Sequence, residues 1–240
     1  YNRTVKSKGM IILNLQDIRG SYDLMLGLGS WCGPSLNLRR HNWRRFSFPL
    51  DWMISNSISD VSRLLRNRFT GFMEFQNLQR TDGYAHFLDD GVAIFPEEGG
   101  TEPVNAHFIH DTYYNIISVH DFPIIPNVDW TVMYPSYKEK LHKRIARFLE
   151  KVENSSSILF IRWGAASPEE AIELKSVISG LTKGSFNILL LQPTEGLKNV
   201  IDMHWTIDGV CSVQVPMDDP NNELVWDYVL NGVSLSNYWG

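Results

Sequence analysis

Cysteine is scarce in this chain: two residues in 240, Cys32 and Cys211, far apart in sequence. That count excludes a disulfide framework and a multi-cysteine zinc site, and it suits the reducing cytoplasm, which is the expected compartment. Long apolar runs are lacking too, since no stretch approaches the roughly 18 residues of a membrane span. Basic charge is not in excess. The net charge is −5, which excludes a general nucleic-acid binder. Arg3, Lys6 and Lys8 are not followed by a signal-peptide core. Internal repeats, heptads and low-complexity segments are missing. Gly27-Leu-Gly29 has neither the third glycine of a dinucleotide fingerprint nor a following P-loop lysine.

What the chain does contain is enough apolar residue for a sizeable core, 43% hydrophobic against 20% charged. Residues 1–17 read as a polar tail or linker, with Met10-Ile-Ile-Leu-Asn-Leu15 as an edge strand or docking segment. Residues 18–240 read as one α/β domain, and the chain is expected to be part of a larger protein with neighbouring domains. Tyr22 to Gly29 predicts a strand, and Pro34 suits the first turn of the helix that follows. Phe46 to Met53 predicts an extended segment. Ser59 is placed to cap a helix carrying Val61, Leu64, Leu65, Phe69 and Phe72 on one face. Val92 to Phe95 predicts a hairpin strand, and Tyr113 to Val119 a strand that delivers His120 at its end. Beyond these, helix and strand alternate. Leu141 to Val152 is an amphipathic helix, Ile158 to Ile161 an apolar strand, and Ser167-Pro-Glu-Glu170 a capping box opening a helix. Ile188 to Leu191 and Val210 to Val215 follow as strands, and Glu223 to Leu230 closes with a helix. The expected fold is a single three-layer α/β domain, with a mixed, partly parallel sheet and helices on both faces.

Leu24-Met-Leu-Gly-Leu-Gly-Ser-Trp-Cys-Gly-Pro-Ser35 carries the densest chemical signal. A strand, a glycine turn and a helix start place Cys32 in the positive field of a helix N-terminus, which favours a thiolate and predicts a lowered pKa. A cysteine nucleophile needs a base, and His120 is the best placed histidine. Asp51 and Asp121 are the leading candidates to orient it, ahead of Asn127 and Asp129. Backbone N–H groups at Cys32 or Gly33 could line an oxyanion hole. Ser30, Trp31, Gly33, Trp52 and Arg162 are the candidate substrate-contacting residues. His107-Phe-Ile-His110-Asp111 has metal-ligand types, but packed histidines are the favoured reading. No metal and no cofactor is expected. Arg39, Arg40, His41, Arg44 and Arg45 form a basic cluster that suits either a solvated helix end or a phosphate cradle.

These blocks together resemble a known family. Leu28-Gly-Ser-Trp-Cys-Gly-Pro34, Leu38-Arg-Arg40, Phe48-Pro-Leu-Asp-Trp-Met53, Arg63-Leu-Leu-Arg-Asn-Arg-Phe69, Tyr114-Asn-Ile-Ile-Ser-Val-His-Asp-Phe122 and Ile158-Leu-Phe-Ile-Arg162 are similar to a mostly bacterial family of unknown function described as putative papain-like cysteine peptidases. The resemblance runs from about Ile18 to Leu230. It implies Cys32 as nucleophile, His120 as base and Asp51 or Asp121 as acidic partner, acting on a peptide or small acyl substrate. The asparagine that follows papain's histidine has no counterpart about twenty residues after His120. Members also resemble parts of proteins that build surface glycans. The alternative is therefore a transferase using a sugar nucleotide, its diphosphate held by Arg162 or the Arg39–Arg45 cluster and Cys32 structural. A non-catalytic binding module is the third reading.

Overall fold

Four strands of nearly unbroken apolar sequence lie side by side and parallel, buried on both faces. The computed structural model describes residues 13–96 and 99–236. Its elements run β1 (Gly20–Tyr22), β2 (Leu24–Gly27), α1 (Gly33–Arg40), β3 (Met53–Ser55), α2 (Ile58–Arg66), β4 (Leu78–Thr81), β5 (Leu88–Asp89), β6 (Val92–Ala93), β7 (Ala106–Asp111), β8 (Ile116–Pro123), α3 (Tyr134–Asn154), β9 (Ser157–Trp163), α4 (Pro168–Ser179), β10 (Ser185–Thr194), β11 (Ile201–Asp202), β12 (Val210–Pro216), α5 (Glu223–Val229) and β13 (Val233–Leu235). The main sheet has the order β11-β12-β10-β9-β2, parallel except for β11. Side chains alternate across it. Leu24, Leu26, Ile158, Phe160, Ile188 and Leu190 enter one core with α2, α3 and α4. Met25, Leu159, Ile161, Leu189, Leu191 and Val213 enter the other, with Leu38 of α1 and Trp226 and Val229 of α5. The protein is thus an α/β fold with helices on both faces of a mixed sheet.

Between β2 and β9 the chain builds a second, antiparallel sheet of order β3-β8-β7-β4. Its β3 edge pairs Met53 with Ser118. A small hairpin, β5–β6, turns at Asp90-Gly91 with φ of 49° and 85°. Both positions need positive φ in such a two-residue turn, which Asp-Gly supplies.

Local signals read from sequence fare unevenly. Ser167 and Glu170 form the expected capping box at α4. Pro34 lies in the first turn of α1. The cap of α2 is Ser57 rather than Ser59, and the helix ends at Arg66, so Phe69 and Phe72 reach the core from the turns beyond it. Phe46 to Trp52 is a chain of turns, with the strand beginning only at Met53. Residues 112–115 turn the β7–β8 hairpin, so β8 starts at Ile116 and His120 lies inside it instead of at its end. Met10, Ile11 and Ile12 of the expected N-terminal strand fall outside the described residues.

Candidate functional site

Cys32 occupies the N-cap of α1, just past the carboxyl end of β2, with its side chain half-buried. The turn that carries it is held from three sides. Leu28 N–H donates to Ile161 O (2.8 Å) and extends the β2–β9 pairing. Gly29 and Ser30 then take φ of 75° and 79°, and a Cβ on Gly29 would come within 2.9 Å of Ser55 Oγ. Ser30 N–H donates to that same Ser55 Oγ (2.8 Å). Arg162 donates to Leu28 O (2.9 Å), Ser55 Oγ (3.0 Å) and Ser55 O (2.8 Å). The Trp31 indole lies over Gly33, where any Cβ would strike its ring at 2.2 Å. It meets Trp163 edge-on at 6.1 Å, and Trp163 stacks on the buried Trp226.

The N-cap position does not bring the expected lowering of the Cys32 pKa. Burial pushes this thiol up, and no cationic group offsets it. Desolvation of the thiolate outweighs the field of a short helix end. No hydrogen bond joins Sγ to His120 or to any other described side chain.

His120 extends from β8 with its ring edge-on to Trp52 (5.8 Å, 86°). Its Nδ1 lies 2.6 Å from His86 O. A carbonyl only accepts, so Nδ1 carries the proton and Nε2 is left as the basic nitrogen. Burial lowers the His120 pKa below 6.5, partly offset by the His86 carbonyl and the charge of Asp121.

Neither candidate carboxylate bonds to His120. Asp51 is 2% exposed and accepts from Phe48 N–H (2.9 Å), Ser35 Oγ (2.8 Å), and Arg44 Nε (3.0 Å) and Nη2 (2.9 Å). It fastens the first turn of α1 to the segment ahead of β3. Asp121 accepts from Ser118 Oγ and Arg144 Nη1, both at 2.8 Å, and faces α3. Asp129 caps the short turn before α3 through Thr131, and Asn127 is a left-handed loop residue.

Residues 51–55 touch both the Cys32 turn and His120. Asp51 holds α1, Ser55 holds the Ser30 turn, Trp52 O accepts from Val119 N–H (3.2 Å) and the Trp52 ring meets His120. The β5–β6 hairpin closes over this segment. Gly91 lies on the Trp52 ring, Gly91 O accepts from Arg39, and Asp90 accepts from Arg44 and Ser47.

The arginines expected to cradle a diphosphate have partners within the protein. Arg162 is 1% exposed, lies beneath the turn rather than facing solvent, and bonds no carboxylate, so burial draws its pKa down to about 10. Arg40 pairs with Asp227 and Arg44 with Asp51 and Asp90. His107 and His110 lie on β7, and no group of three His, Cys, Asp or Glu gathers to hold a metal among the described residues. No helix among them is long and apolar enough to cross a membrane. His86 is the site residue that sequence reading missed. Its contribution is a backbone carbonyl, which no side-chain pattern advertises.

No solved structure matches the chain. An uncharacterized protein of Acanthamoeba polyphaga mimivirus is 27% identical over 183 residues, covering 71% of this chain and 78% of the viral protein. The model of the family described as putative papain-like cysteine peptidase matches residues 23–196, a span holding β2, the Cys32 turn, β8 and β9, and the chain belongs to that family.

Proposed function

We propose that the protein is a thiol hydrolase of peptidase-like type in which Cys32 is the nucleophile and His120 the base. The observation that carries this reading is the 51–55 segment. Its two ends, Asp51 and Ser55, bond the helix and the turn that present Cys32, and Trp52 between them meets the strand and ring of His120. His120 Nε2 takes the thiol proton, and the thiolate attacks the substrate carbonyl to form a tetrahedral adduct. Backbone N–H groups at the α1 N-terminus stabilise its oxyanion. The adduct collapses to a thioester as the imidazolium returns its proton to the departing amine. Water, deprotonated by the same nitrogen, then releases the acid and restores the thiol. The His86 carbonyl holds the imidazole in the required tautomer, as a carboxylate or amide does elsewhere. Asp121 adds a favourable charge for the imidazolium without touching it, and Asp51 positions α1.

Because burial pushes the Cys32 thiol pKa up, substrate-like reagents separate this reading from simple thiol exposure. A peptidyl vinyl sulfone is expected to label Cys32, and His120→Ala to slow labelling by about 100-fold or more. Equal labelling of the wild type and His120→Ala would remove the reading.

A further inference from the structure

A groove of about 540 Å³ lies at the edge of the main sheet, between α5 and the run that leads into β11. Val200 and Val225 line it and also pack against the core behind. Leu224 and Tyr228 line it as well, and they are 79% and 59% exposed. These two lie four residues apart on α5, so they share one face of the helix. Trp226 and Val229 bury the opposite face. A helix apolar on both faces belongs in an interior, yet the outer face of α5 is open among the described residues. Ile201, which follows Val200, is exposed too.

The rim of this groove is acidic. From Glu195 to Gly240 the chain has seven Asp or Glu residues and one Lys or Arg, Lys198, whereas the residues before Glu195 hold 20 acids and 21 bases. Glu223 and Asp227 flank Leu224 and Tyr228 on α5, and Asp218 stands 4.0 Å from Lys198, which lines the groove. Arg40 answers both Glu223 (3.8 Å) and Asp227. His41, beside Asp227, has its pKa lowered by burial and is neutral at pH 7. Asp219 accepts only from a backbone N–H and has no cationic partner among the described residues. Four carboxylates therefore meet two cations. An apolar groove with a net negative rim fits an apolar segment that carries positive charge. A docked helix is favoured over an added strand, because β11 is two residues long and its Asp202 already accepts from Leu15 N–H (3.1 Å).

We propose that the groove between α5 and β11 docks a basic amphipathic helix of another protein. Apolar side chains of that helix enter between Val200, Leu224 and Tyr228. Its Lys or Arg residues lie against Asp218, Asp219 and Glu223. The groove lies beyond residues 23–196 that match the family model, and docking there does not depend on chemistry at Cys32.

The 240-residue protein is titrated by fluorescence anisotropy into a fluorescein-labelled peptide of leucine and lysine, about 15 residues long so that it can form a helix. A counterpart with glutamate in place of lysine is the control. The basic peptide is expected to bind saturably, at least tenfold more tightly than the acidic one, and more weakly as salt rises. Leu224→Ser/Tyr228→Ser is expected to weaken binding at least tenfold, and Asp219→Asn/Glu223→Gln about threefold. All four side chains are exposed, so both variants should melt like the wild type. No saturable binding of the basic peptide, equal binding of the two peptides, or wild-type binding by Leu224→Ser/Tyr228→Ser would overturn the proposal. A wild type that sediments as a dimer, with the same variant a monomer, would also overturn it, by putting a second copy in the groove. So would a wild type that binds no peptide while the variant melts lower, since the chain would then cover its own groove.

Discussion

The proton on His120 Nδ1 goes to a peptide carbonyl, not to a carboxylate, and this changes what acid does to the site. A carboxylate partner would hold the imidazolium and raise its pKa. The His86 carbonyl fixes the ring, but burial dominates and lowers the pKa. The unfolded chain therefore binds the proton more tightly than the native state, and the stability that neutral His120 contributes is present above the unfolded value, 6.5. It is lost as pH falls through that value toward the lower native one. Labelling of Cys32 by a peptidyl electrophile is expected to keep its acid limb below pH 6.5, and His120→Gln to flatten the loss of stability between pH 7 and 5. An acid limb above 6.5 would show an imidazolium held by an anion. Asp51 belongs to a different category. Four donors, two of them from Arg44, converge on its buried carboxylate. Asp51→Ala is expected to cost about 3 kcal/mol in denaturant unfolding, because it strands part of a buried guanidinium. If it folds as well as the wild type and only slows labelling, Asp51 is the orienting acid after all.

At the scale of elements, the β5–β6 hairpin is two residues per strand, yet its neighbours are the residues on which the proposed site depends. Its tip rests on Trp52, its Asp90 reaches Arg44, and the residue leading into it supplies the His86 carbonyl. Gly91 has φ of +85°, and a Cβ there would come within 2.8 Å of the Trp52 ring. Gly91→Ala is therefore expected to cost about 1–3 kcal/mol of local strain. It should change Trp emission and slow peptidyl labelling of Cys32 more than it lowers the melting temperature. A change in melting temperature alone would make the hairpin a passive cover. The sequence signalled this element as a turn and a short hairpin strand. Asp90-Gly91 and Val92-Ala93 mark a hairpin, but nothing in them says that it folds back onto Trp52. The β2–Cys32–α1 unit was readable because apolar run, glycines and proline are local signals. So was the capping box of α4. The histidine's position was misread by a strand that begins three residues late, after the Thr112–Asn115 turn. The partners of Asp51 and Asp121 were illegible because Arg44, Ser35 and Arg144 meet them only through tertiary packing.

Over the whole molecule, the two cysteines occupy opposite settings on one parallel sheet. Cys32 stands past the carboxyl end of β2, where ligands collect in open α/β sheets. Cys211 lies within β12, paired in register with Leu189 and fully buried, and its pKa is pushed up to about 12. Both thiols are raised by burial, so neither is activated at rest; access is what separates them. Iodoacetamide at pH 9 is expected to add one group per native chain, on Cys32, and two in guanidinium, counted by intact mass. The Cys32 rate should climb with pH more steeply than that of a model thiol near pH 8.5, because its thiolate fraction is smaller there. Any Cys211 labelling under native conditions must wait for opening of the sheet, so its rate reports global unfolding. A native chain that takes up two groups at similar rates would mean that β12 is not held as an interior strand. The parallel sheet that carries the Cys32 turn would then lack a rigid interior.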